Sequence, residues 1–85
     1  MTTKRQQITD DITGAARAAG WLPNGTIQRG FAMERLGRNG IPQRRLYVYF
    51  LGDDAIEEAV LYSGYTDQPD IMPRPTPADV IARLT

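Results

Sequence analysis

The sequence has no histidine and no cysteine in its 85 residues. Their absence removes imidazole and thiol catalysis, zinc sites of the Cys/His kind, haem and iron–sulfur ligation, and disulfide stapling. Lysine occurs once, at Lys4, and serine once, at Ser63, and neither stands in a recognisable nucleophile motif. The expectation is a chain that is not an enzyme and carries no cofactor. Long apolar runs are missing too: the longest, residues 46–51, is far short of the roughly 20 residues a membrane helix requires. Residues 1–7 are polar and lead into no apolar leader core, so a cytoplasmic location without membrane attachment is expected.

What is present is an ordinary globular composition, 41% hydrophobic and 24% charged, in a chain of the size of one domain spanning residues 1–85. So short a chain buries only about 60 to 65% of its unfolded surface, which argues against a deep enclosed site. Lys and Arg together balance Asp and Glu, ten against ten, so no overall field attracts nucleic acid or an anionic membrane. The distribution is uneven. Eight basic residues face three acidic ones through Arg45, and two face seven from Leu46 onward, giving halves of +5 and −5. Pairing between the halves within the fold is the simpler reading of that asymmetry, and two faces with different partners the other.

Ile8, Ile12, Ala15, Ala16 and Ala19 recur at helical spacing, predicting a helix over residues 4–19 that Thr2 or Thr3 caps and Gly20 ends. Trp21 and Leu22 would fold back on its apolar stripe, with residues 23–25 as a turn. A first strand is read over 26–36, with Ile27, Phe31 and Met33 on one side. Gly37-Arg38-Asn39-Gly40 then marks a hairpin with a primed Asn-Gly turn, after which Pro42 delays the next pairing. The clearest strand is 44–51, with Leu46, Val48 and Phe50 on one face and Tyr47, Tyr49 and Leu51 on the other. Residues 55–63 fit two periods: Ile56, Ala59 and Val60 suit a helix, whereas the Val-Leu-Tyr end and the preceding tight turn favour a strand, which is preferred. Residues 64–75, holding Pro69, Pro73 and Pro75, read as an irregular crossover, and Thr76-Pro77-Ala78-Asp79 as a capping box opening a last helix. The fold class is therefore α+β in the order α-β-β-β-α. It is a three-stranded antiparallel meander with the N-terminal helix on one face. Ile8, Ile12, Ala16, Trp21, Ile27, Phe31, Met33, Leu46, Val48 and Phe50 form its expected core.

Two groups of side chains could carry function. Tyr47, Tyr49, Leu51, Tyr62 and Tyr65 would form an aromatic surface on the sheet face away from the first helix, either covered by the Pro-rich segment or open to a protein partner or a second copy of the chain. Arg35, Arg38, Arg44 and Arg45 cluster about the hairpin and would suit phosphates, which makes nucleic-acid binding the alternative function. Asp53, Asp54, Glu57 and Glu58 form the one carboxylate cluster, but its spacing matches no calcium loop and a solvated turn is the simpler reading, so no metal is expected. Arg29-Gly30-Phe31-Ala32 opens like the ribonucleoprotein motif of RNA-recognition folds, yet Met33-Glu34-Arg35-Leu36 lacks the second stacking aromatic. The element order is similar to that of double-stranded-RNA-binding domains, but the last helix opens with Asp79 where those domains carry lysines.

Arginine outnumbers lysine nine to one, as in proteins of GC-rich genomes. A first helix ending in Ala18-Ala19-Gly20-Trp21, a small meander, and a closing helix over Ala78-Asp79-Val80-Ile81-Ala82-Arg83-Leu84 give the chain a layout that resembles small uncharacterised proteins of actinobacteria and their phages. That resemblance implies no particular chemistry. It implies a small interaction module, phage-encoded, acting on a host or phage protein.

Overall fold

In the computed structural model, which describes residues 3–52, 54–64 and 68–84, two helices flank five strands. They run α1 (Lys4–Ala18), β1 (Leu22–Ile27), β2 (Gly30–Leu36), β3 (Pro42–Leu51), β4 (Ala55–Ser63), β5 (Asp70–Pro73) and α2 (Pro77–Ala82). The strands form one antiparallel sheet in the order of the chain, with β3 at its centre. The α+β class and both terminal helices agree with the sequence reading; the sheet has five strands where three are expected.

Helix α1 starts because the Thr3 hydroxyl accepts the Gln6 N–H at 3.1 Å. It ends in a Schellman motif: Gly20, at φ 91°, donates to the Arg17 carbonyl at 3.0 Å, and the Trp21 N–H returns to Ala16 at 2.9 Å. That closure carries the Trp21 side chain into the core beside Ala16, while Leu22 points outward and is exposed. Helix α2 starts at the expected capping box, with the Thr76 hydroxyl accepting the Asp79 N–H and the Asp79 carboxylate accepting the Thr76 N–H at 2.9 Å.

Each extra strand arises where a turn or breaker residue has a second use. The single strand expected over 26–36 is divided at Gln28-Arg29, where Arg29 takes φ 70° and the chain doubles back, pairing Ile27 with Gly30. The expected turn at 23–25 is instead part of β1: a register shift between Pro23 and Thr26, with Gly25 at φ 87°, makes a bulge, and an edge strand tolerates Pro23. The expected crossover at 64–75 holds β5, which pairs with Glu58 to Leu61 of β4, because proline is compatible with an outermost strand. Pairing of β3 also begins at once, Pro42 opposite Leu36, with the register shifting by one residue before Arg35 and Arg44 meet. The hairpin turn lies where expected, but its geometry differs: Gly40 alone is left-handed at φ 76°, so the pair of positive φ angles of a primed Asn-Gly turn is absent.

Both helices pack on one face of the sheet. Ile8, Ile12, Ala16, Trp21, Val80 and Leu84 meet Phe31, Met33, Leu46, Val48, Phe50, Ile56, Ala59, Leu61 and Met72 in one core cluster. Of the expected core only Ile27 is elsewhere; opposite Gly30, it sits on the other face. The end of α2 is tied down by two donors. The Trp21 indole N–H donates to the Leu84 carbonyl at 3.1 Å, and the Arg44 guanidinium donates to the Arg83 carbonyl at 2.8 Å while lying 5.2 Å from the Trp21 ring. Arg83 in turn pairs with Asp70.

Candidate functional site: the open face of the sheet

The strand registers define what lies on the face away from the helices. Across β1 to β5, one row runs Ile27, Gly30, Tyr49, Glu58, Pro73; the central row holds Ala32, Tyr47, Val60 and Ile71; a third holds Leu22, Glu34, Arg45 and Tyr62. Among the described residues no helix or loop packs over these rows, since α1 and α2 both belong to the opposite layer. Tyr47 and Tyr62 meet edge to face, ring centroids 5.8 Å apart, and so brace each other. Exposure rises from the middle outward: Ala32 is 2% exposed, Tyr47, Tyr49 and Val60 are half-buried, and Tyr62 is 36%, Leu22 48% and Ile71 52% exposed. Leu51 is exposed at the end of β3, one alternation beyond Tyr49.

The structure thus brings together Tyr47, Tyr49, Leu51 and Tyr62 as expected; Tyr65 lies outside the described residues. It adds Leu22, Ile27, Val60 and Ile71, which sequence reasoning missed. Ile71 was hidden because its segment reads as a loop, and Ile27 because the parity of 26–36 is read through the turn at Arg29. Val60 shares the parity of Tyr62 in the strand, and a bulge changes which residue sits with them: Tyr49 pairs with Glu58 and Phe50 with Ile56, leaving Glu57 unpaired. The extra residue puts both Ile56 and Ala59 on the core face, three apart, which imitates helical spacing and leaves Glu58, Val60 and Tyr62 on the open face.

The arginines do not converge. Arg35 and Arg44 are opposite one another on the helix side, Arg45 is on the tyrosine face opposite Tyr62, and Arg38 is at the hairpin tip. Arg44 is occupied by Trp21 and the Arg83 carbonyl, and burial, then the nearby Arg35 charge, lowers its pKa. The carboxylates also separate. Glu57 lies 4.0 Å from the Arg29 guanidinium, Glu58 is on the open face, and Asp53 is outside the described residues. Among the described residues no group of three or more acidic side chains is arranged to hold a cation. Between β5 and α2 lies an open cleft of about 400 Å³, but its charges serve the fold: Asp70 pairs with Arg83, and Asp79 caps α2. No described helix is long and apolar enough to cross a membrane. No family model, curated protein or solved structure matches the chain.

Proposed function

We propose that the chain is a non-catalytic protein-interaction module whose working surface is the open sheet face built from Tyr47, Tyr49, Val60, Tyr62, Ile71 and Leu22. The observation that carries this reading is that helices cover one side of the sheet only, leaving a row of apolar and aromatic side chains uncovered on the other among the described residues. Contiguous apolar patches on small proteins commonly mark recognition surfaces. Tyrosine suits the task because it supplies a large contact area at a low cost in side-chain entropy. The layout's resemblance to small phage proteins points to a host or phage protein as the target, in the cytoplasm. Nucleic acid is the less suited partner: of the four hairpin arginines one is committed to α2, and on the tyrosine face Arg45 stands directly opposite Glu34.

Capture from cell lysate on immobilised protein tests this reading, comparing the parent with Tyr47→Arg and with Arg38→Ala, each with and without nuclease. A protein held by the parent and by Arg38→Ala but released by Tyr47→Arg is the expected result. The same proteins retained by Tyr47→Arg would remove the interaction reading, and material lost on nuclease treatment and with Arg38→Ala would transfer the function to the arginines.

A further inference from the structure

The open face is self-complementary, and we infer that its partner is a second copy of this chain, the two sheets packing face to face about a twofold axis that runs across the strands along the central row. This rests on the preceding reading of the face as an interaction surface and names its occupant. A twofold interface demands that if one residue meets another across it, the reciprocal contact also forms. With the axis along Ala32, Tyr47, Val60 and Ile71, each of these meets its own counterpart, and the two outer rows exchange. Tyr49 then faces Arg45 of the other copy, Glu58 faces Tyr62, and Ile27 faces Leu22. The guanidinium over a tyrosine ring and the phenol hydroxyl to a carboxylate are favourable encounters. Arg45 also comes within one strand spacing of the other copy's Glu58. Glu34 falls opposite Gly30, the one position in that row without a side chain.

The alternative twofold, along β3, would set Arg45 on Arg45 at the axis, which like-charge repulsion disfavours. The chosen axis also uses the charge asymmetry of the chain. Among the described residues Arg29 and Glu57 make the one ion pair that links the two halves, so the asymmetry is not cancelled within one copy. On the open face itself Arg45 lies toward one end of the strands and Glu58 toward the other, while Arg35 and Arg44 are on the helix side and Arg29 shares the Glu57 end. The cross-strand axis brings Arg45 of each copy toward Glu58 of its partner. Five strands about 4.8 Å apart and three rows about 6.8 Å apart give a footprint of about 500 Å² per copy. That is at the lower end of specific interfaces, so association is weak and depends on concentration.

Charge exchange decides it, because within one copy Arg45 and Glu58 are on neighbouring strands two rows apart, about 14 Å, too far to pair. Sedimentation equilibrium up to about 1 mM protein, where an interface of this size is populated, is expected to show a monomer–dimer equilibrium. Arg45→Glu and Glu58→Arg should each weaken it by about tenfold, and the double variant should recover it. Circular dichroism checks that each variant is folded. A parent that stays monomeric, single variants that associate as the parent does, or a double variant that recovers nothing would each overturn the twofold dimer. A monomeric parent whose lysate capture is nonetheless abolished by Tyr47→Arg would leave the face an interaction surface for a different protein; a monomeric parent with unchanged capture would overturn both.

Discussion

Two positions are constrained more tightly than their residue types suggest. Gly30 has no left-handed φ; it is glycine because a Cβ there would lie 1.7 Å from the Val48 carbonyl oxygen, a backbone atom that cannot swing aside. The close approach lets β3 continue pairing past the β1–β2 turn, the Phe50 N–H donating to the Arg29 carbonyl at 2.7 Å. Gly30→Ala should therefore destabilise the fold by about 3 kcal/mol or more, read from the urea midpoint, because two central strands must part. A glycine between Arg and Phe gives no such signal in a sequence; only the register shows it. Trp21 is the second. Its N–H is spent on the Leu84 carbonyl, joining the end of α1 to the end of the chain 63 residues on. Trp21→Phe keeps most of the apolar contact and leaves that buried carbonyl without its donor, so a loss of about 1–2 kcal/mol is expected in thermal denaturation.

At the scale of elements, α2 is short and depends on its ends. Accepting the Thr76 backbone N–H, and then the hydroxyl interaction, holds the Asp79 carboxyl below the usual carboxylate range. A depressed folded-state pKa means that the stabilisation is fully present above the usual range, about pH 4, and is lost as pH falls through the lowered value. The α2 cap should therefore loosen in acid before the sheet does. Asp79→Asn should flatten that acid limb when the exchange of the α2 amides is followed against pH, whereas an unaltered limb would assign the transition to another carboxylate. This cap was legible in the sequence because four consecutive residues contain all its chemistry, and so was the α1 stop, where Gly20 and Trp21 adjoin. The strands were legible where one face alternates cleanly, as in β3. They were not legible where the alternation is broken by a residue doing two things: Arg29 turning without glycine, Gly25 serving a bulge, and Pro73 occupying an edge; β4 was legible as a strand, but the Glu57 bulge hid that Ile56 joins the core. The open face inherited those errors, so Tyr47, Tyr49 and Leu51 of β3 and Tyr62 of β4 were found, and Leu22, Ile27 and Ile71 were not.

For the whole molecule, the question is where a sheet covered on one side can meet another chain. It has two edges and one face, and the edges are blunted. β1 carries Pro23 and a bulge, and β5 is four residues long with Pro69 before it and Pro73 at its end. The Arg74 N–H points inward, donating to the Glu57 carbonyl at 2.9 Å, so by alternation Pro73 occupies a position whose N–H would point to the open edge. Proline there deletes a donor that an incoming strand would use, a common protection against edge-to-edge pairing. Restoring it with Pro73→Thr should leave the sheet intact and raise light scattering during a thermal ramp, as edges of β5 pair between molecules. The charge exchange at Arg45 and Glu58 should not suppress that scattering, because edge pairing does not involve the face. Scattering equal to that of the parent would mean that the brevity of β5, not its proline, guards the edge. With both edges blunted, the association proposed above falls to the aromatic face.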